Sequence, residues 1–147
     1  MVRGNERLML SCAVVALFAG GRLLAEEKHE HKHGEKGPRG GELLEVGDKE
    51  DTHAELVHDE KAGKLTLYLL AKDLKTAVAI KDAPKLNLKA KDGNKQMDLK
   101  AVDAKDGAAS KFEATDDALK ADPLDGRIAV TLADGKKYNV NLKHEHK

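Results

Sequence analysis

The chain has 147 residues with 26 basic and 26 acidic side chains, so its formal net charge at pH 7 is zero when histidine is neutral. A balanced charge disfavours a nucleic-acid partner, which requires a clearly basic surface. Aromatic residues make up only 3% of the chain and tryptophan is absent, which disfavours a stacking platform for bases or sugars.

The first segment, residues 1–25, is predicted to be a secretory signal peptide. Arg3 and Arg7 precede an apolar run, Leu8 to Phe18, and small residues follow, with cleavage expected no later than Ala25. The run is shorter than the roughly 20 residues of a membrane-spanning helix, so no membrane span is expected after cleavage. The single cysteine, Cys12, lies in this segment, which leaves no disulfide or cysteine-based zinc site. We therefore expect a secreted or periplasmic protein.

The second segment, residues 26–42, is predicted to be a disordered tail. It contains no large apolar side chain and is rich in Lys, Glu, His and Gly. At its end, the sequence Gly37-Pro38-Arg39-Gly40-Gly41 could offer backbone amides to an anion. No helix start or Lys-Ser/Thr pair follows as in a phosphate loop, so a flexible hinge is the preferred interpretation. The globular domain is expected to span residues 43–143, and residues 144–147 form a second short tail.

The domain is predicted to be all-β, because its dominant hydrophobic period is two. Turn sequences that favour tight hairpins separate the alternating segments, at Ala62-Gly63, Asp92-Gly93-Asn94 and Asp134-Gly135. Between Thr115 and Leu124 the alternation stops, and one helical turn or a loop crossing between sheets is expected. About seven or eight short strands at this spacing predict an antiparallel two-sheet sandwich, Ig-like or similar. The alternating apolar sets are Ala54/Leu56, Leu65/Leu67/Leu69, Leu86/Leu88/Ala90, Met97/Leu99/Ala101, Ile128/Val130/Leu132 and Tyr138/Val140/Leu142.

Two histidine clusters carry the main functional prediction. They lie on either side of the domain and hold five of the chain's seven histidines, namely His29, His31, His33, His144 and His146. Imidazole suits zinc, copper and nickel, and alternate residues of an extended chain point the same way. The first cluster also matches H-E-x-x-H, but that protease motif requires a helix anchored in a core, so we reject it. The alternative is that both clusters are solubilising tails that bind metal weakly.

The remaining histidines, His53 and His58, fall within a predicted strand. Their spacing of five places them on opposite faces of a regular strand, so they cannot share one ion unless a bulge intervenes. Both are expected to be surface or strand-end residues, and His58, beside Asp59 and Glu60, is the better candidate for a metal ligand.

Nothing in the sequence favours catalysis. Ser110 is the only serine after the signal peptide and has no elbow motif or nearby histidine. The carboxylates are all interpreted as surface or turn residues, so no acid/base pair is predicted. We therefore expect a protein that is not an enzyme and has no organic cofactor.

Three stretches carry a resemblance to known proteins: His33 to Gly41, Leu43 to Gly47, and His53 to Asp59. Together they resemble small His-tailed bacterial secreted proteins of unknown function. They resemble, more distantly, the N-terminal domain of periplasmic adaptor subunits of heavy-metal efflux pumps. That pattern is Gly-Pro-His-Gly-Gly, an apolar strand, Gly, and a strand containing Glu; here Arg39 replaces the histidine. The resemblance implies a sandwich domain associated with metal handling.

The sequence therefore predicts a non-enzymatic protein that binds or buffers Zn²⁺, Cu²⁺ or Ni²⁺ through its histidine clusters, joined by His58. The rival hypothesis is an interaction module of the cell envelope. It would bind a protein partner through a sheet face or an exposed edge strand, and its histidines would be incidental.

Overall fold

The structure is a computed structural model that describes residues 35–143. The predicted signal peptide lies outside these residues, as does most of the predicted first tail. Nine strands are present in the described region. In chain order they are β1 (Glu42–Val46), β2 (Thr52–Asp59), β3 (Lys64–Ala71), β4 (Lys85–Ala90), β5 (Gly93–Asp98), β6 (Lys100–Val102), β7 (Lys111–Thr115), β8 (Asp125–Thr131) and β9 (Lys137–Lys143).

The strands form two antiparallel sheets, which confirms the predicted all-β sandwich. The five-stranded sheet has the order β1-β2-β3-β7-β6, and the four-stranded sheet has the order β5-β4-β8-β9. Apolar residues from both sheets meet in one core, where burial of each large side chain contributes about 1.5–3 kcal/mol. The largest fully buried core side chains are Phe112, Leu65, Leu67, Leu69, Ile80, Leu86, Leu99, Leu119 and Ile128.

The three predicted hairpins are present. Strands β2 and β3, β4 and β5, and β8 and β9 pair antiparallel across the expected turns. Gly63, Gly93 and Gly135 all have positive φ angles there, a conformation that glycine adopts without steric cost. The helical turn expected between Thr115 and Leu124 is also present, as a 3₁₀ helix over Asp117–Lys120.

Two details of the strand prediction were wrong. The alternating set Met97/Leu99/Ala101 predicts one strand, but the chain changes sheets at Leu99, between β5 and β6. Strand β7 was not predicted, because it contributes only one large apolar residue, Phe112. These two differences account for nine strands where seven or eight were expected. Within residues 35–143, no helix is long and apolar enough to cross a membrane.

Candidate functional site

Of the six predicted metal ligands, only His58 falls in the part of the chain that the structure describes. The other five, His29, His31, His33, His144 and His146, lie outside the described residues. Among residues 35–143, no group of three or more His, Cys, Asp or Glu side chains is placed to hold a metal ion. A metal site centred on His58 would therefore need ligands from the flanking segments.

His58 lies near the end of β2, on the strand face that carries the core residues Ala54 and Leu56. Its Nε2 atom is 2.6 Å from the carbonyl oxygen of Leu119. A carbonyl only accepts hydrogen bonds, so this network assigns the proton to Nε2. In the neutral imidazole, Nδ1 then carries the lone pair that a metal ion or another donor requires.

The Leu119 carbonyl is held in place by the 3₁₀ helix to which it belongs. Leu119 is fully buried, and the Asp116 side chain caps the helix by accepting from the Ala118 amide at 2.9 Å. Asp116 also accepts a hydrogen bond from Lys95 Nζ at 2.6 Å. That lysine contact, followed by the Ala118 amide, lowers the pKa of Asp116. The partner of His58 is therefore positioned by an ion pair between Lys95 on β5 and Asp116 at the start of the 3₁₀ helix.

His58 also lines a small cavity of about 30 Å³ at this end of the sandwich. The volume is enough for a water molecule or a single ion. Glu42 lies in the same wall, at the first residue of β1, so the cavity combines an imidazole with a carboxylate. The other lining residues are apolar and come from four parts of the chain, namely Leu56, Leu65, Leu124 and Leu142.

Both ends of the described chain lie beside this cavity. The backbone carbonyl of Glu35 accepts a hydrogen bond from the Leu43 amide at 3.0 Å, and Lys36 forms an antiparallel β-bridge with Glu42. At the other end, Leu142 lines the cavity one residue before β9 ends. The chain therefore enters and leaves the domain next to the wall that contains Glu42 and His58.

His53 occupies the opposite face of β2 from His58, as the spacing of five predicted. It lies between Glu45 on β1 and Leu70 on β3. Its Nδ1 atom is buried and has no hydrogen-bond partner. The two strand histidines are thus separated by the sheet and do not form one site.

The most unusual polar residue on this face is Glu55, whose side chain is fully buried. Its Oε1 accepts hydrogen bonds from the amides of Arg39 and Gly41, at 2.5 and 3.2 Å. Its Oε2 is 3.2 Å from the Arg39 guanidinium. The prediction that every carboxylate is a surface or turn residue was therefore wrong for Glu55.

The segment that covers Glu55, residues 37–41, is here called the Glu55 loop. It closes on itself, because Gly37 donates to the Gly41 carbonyl at 2.8 Å and Gly40 donates to the Gly37 carbonyl at 2.9 Å. The Arg39 guanidinium stacks 4.1 Å from the centre of the Tyr68 ring on β3, an attractive cation–π contact. The predicted flexible hinge is therefore wrong: the loop amides do bind an anion, and that anion is the protein's own carboxylate.

A sequence signal for this contact existed. Closely spaced glycines preceded a strand with an acidic residue at its centre, and exposed amides in glycine-rich loops favour anions. The flexible-hinge prediction was wrong because the glycine pattern was compared only with phosphate loops, whereas the anion is a carboxylate of the same chain.

Comparisons with known proteins found no matching family model, no similar curated protein and no similar solved structure. The sandwich, the protonated Nε2 of His58 and the clamped Glu55 are therefore the features on which a functional interpretation rests.

Proposed function

We propose that this chain is a secreted or periplasmic, non-enzymatic β-sandwich protein that binds or buffers a divalent transition-metal ion. The ligands are the histidine clusters together with Nδ1 of His58, and Zn²⁺, Cu²⁺ and Ni²⁺ are the candidate ions. The observation that carries the proposal is the hydrogen bond from His58 Nε2 to Leu119. Metal-binding histidines almost always donate their other ring N–H to a carbonyl, carboxylate or water, which fixes the ring and its tautomer.

The positions of the first and last described residues support the same proposal. His33 precedes Glu35 by two residues, and His144 follows Leu142 by two. Two residues span at most about 7 Å. Glu35 is bonded to Leu43, the neighbour of Glu42, and Leu142 lines the cavity, so each cluster is joined in sequence to a residue at this wall. Tethering raises the effective concentration of a ligand at a site without any further contact.

A neighbouring carboxylate adds to this case. Glu42 shares the cavity wall with His58, and its negative charge favours a cation there. Imidazole ligands must be neutral to bind a metal ion, so binding should weaken as the pH falls, and metal addition should release protons.

The test is isothermal titration of the mature protein with Zn²⁺ and Cu²⁺. Loss of a ligand should weaken binding at least as much as loss of a supporting hydrogen bond, which costs about 10-fold to 100-fold. His58→Ala should therefore bind more weakly by about tenfold or more, and His53→Ala, on the same strand but the opposite face, should bind like the wild type. Binding should be lost when the five cluster histidines are replaced by alanine, at His29, His31, His33, His144 and His146.

The alternative, an envelope interaction module, has less support from β5, an edge strand in which every residue except Met97 is exposed. Its sequence is polar and includes Lys95, a composition that discourages pairing with a second strand. Weak, non-saturating metal binding by the wild type would favour this alternative.

A further inference from the structure

We propose that the Glu55 loop keeps the free edge of β1 from pairing with a second copy of this chain. In this role Glu55 is a positioning residue, because it holds the loop on the sheet. The partner that the edge accepts when the loop is released is β1 of another molecule. Metal binding plays no part in this role.

Strand β1 is an edge strand of the five-stranded sheet, because β2 is its only strand neighbour within residues 35–143. An unpaired edge offers its backbone N–H and C=O groups to another strand. Proteins commonly protect such an edge with lysine, with proline or with a covering loop. The sequence of β1, Glu-Leu-Leu-Glu-Val, contains neither lysine nor proline. Its protection must therefore come from outside the strand.

Residues 35–37, here called the guard segment, occupy part of this edge. The Leu43 amide donates to the Glu35 carbonyl at 3.0 Å, and the Gly37 amide donates to the Gly41 carbonyl at 2.8 Å. An antiparallel β-bridge lies between these two hydrogen bonds, as in a short ladder of two paired strands. The Leu43 amide therefore points away from β2 and already has its acceptor.

Without the guard segment, two copies of β1 can pair with each other about a two-fold axis. Alternate residues of an antiparallel strand point their backbone groups to opposite sides, so Leu43 and Glu45 both face the free edge. Placing Leu44 opposite Leu44 of the second copy sets each Leu43 against Glu45, and each such pair exchanges both of its backbone hydrogen bonds. The same register sets Glu42 against Val46, so no two carboxylates lie directly opposite each other. This pairing requires the Leu43 amide, which the guard segment occupies.

The guard segment stays on the edge because the Glu55 loop, which joins it to β1, is fixed by the buried carboxylate. Glu55 accepts hydrogen bonds from the amides of Arg39 and Gly41, and it lies 3.2 Å from the Arg39 guanidinium. A Cβ atom on Gly37 would overlap the Glu55 side chain, so the end of the guard segment rests directly on this carboxylate. Removing the carboxylate leaves the loop amides without an acceptor unless the loop opens to water. Its loss therefore frees the loop and the guard segment together.

The experiment compares the wild type with Glu55→Met, in the chain from residue 26 onward and without added metal. The substitution keeps a side chain of similar size but removes both acceptor oxygens. Hydrogen exchange measured by NMR reports on the Leu43 amide, and sedimentation velocity reports on association. In Glu55→Met the Leu43 amide should exchange at least about tenfold faster at low concentration, because each lost hydrogen bond to the carboxylate makes opening of the loop about tenfold or more favourable. A dimer should form as the concentration rises. The wild type and a control, Glu60→Gln, at an exposed turn residue, should stay monomeric with a slowly exchanging Leu43 amide.

A second substitution shows whether the dimer forms through β1. Glu45→Pro removes an amide that points to the free edge and leaves the hydrogen bonds to β2 in place. The double variant Glu55→Met/Glu45→Pro should therefore stay monomeric while its Leu43 amide still exchanges fast. A dimer that persists in the double variant forms elsewhere and overturns the inference. A wild type that itself dimerises overturns it too, as does a Glu55→Met variant that stays monomeric or keeps a slow Leu43 amide. Should Glu55→Met not fold, Gly37→Ala displaces the guard segment by steric overlap with Glu55 and carries the same tests.

Discussion

Replacing Glu55 by alanine should destabilise the protein by about 3–5 kcal/mol. The change leaves the amides of Arg39 and Gly41 without their carboxylate acceptor. A hydrogen bond to a charged group contributes about 1.5–3 kcal/mol, so two such bonds give about 3–6 kcal/mol. Water that enters the opened loop recovers part of this loss. Removing one partner of a buried ion pair costs a similar 3–5 kcal/mol or so.

Urea unfolding followed by far-UV circular dichroism measures this change. The midpoint should fall while the slope of the transition stays constant, because the change lies in native-state contacts rather than in the surface exposed on unfolding. Glu45→Ala removes an exposed carboxylate from the neighbouring strand and should shift the free energy of unfolding by no more than about 0.5 kcal/mol. A loss of less than about 1 kcal/mol in Glu55→Ala would refute the argument that its carboxylate holds the loop.

Three further changes test other parts of the fold. Leu99→Ala should lower stability by about 2–5 kcal/mol in thermal unfolding, because Leu99 is fully buried where the chain changes sheets; a loss under 1 kcal/mol or so would contradict that position. Gly126→Ala should lower the melting temperature, since its Cβ would overlap the Asn87 carbonyl; an unchanged value would contradict this close approach. Lys95 lowers the pKa of Asp116 below its ordinary value of 3.8, so the stability from this pair is present above that value and lost as pH falls through the lowered pKa. The stability difference between wild type and Asp116→Asn should therefore shrink as pH decreases from 5 to 2, and a constant difference would contradict the ion pair.

The hairpins could be predicted from sequence because their signals are local. Alternating burial and the turn residues at Gly63, Gly93 and Gly135 lie within a few positions of each other. The crossing at Leu99 could not be predicted in the same way. Its apolar period continues unbroken from Met97 to Ala101, because periodicity reports which face is buried and not which sheet a strand joins.

The contacts of the candidate site residues were harder to predict than the hairpins, because they join residues that are distant in sequence. His58 was identified as a candidate ligand, but its partner Leu119 is 61 positions away in sequence, so the tautomer that exposes Nδ1 could not be read from the chain. Glu55 looked like an ordinary residue of a polar strand face. Its burial depends on contacts with loop residues that precede it by 14–16 positions. The alternation of apolar and polar residues within a strand carries no information about such contacts.

The most direct test of metal binding at this site is a long-range ¹H–¹⁵N spectrum of the histidine side chains of the chain from residue 26 onward, recorded during addition of Zn²⁺. The proposal predicts that the Nδ1 resonance of His58 moves to the chemical shift of a metal-bound nitrogen. Its Nε2 should keep its proton and its hydrogen bond to the Leu119 carbonyl. Unchanged His58 resonances at saturating Zn²⁺ would contradict the central claim that this histidine is a ligand.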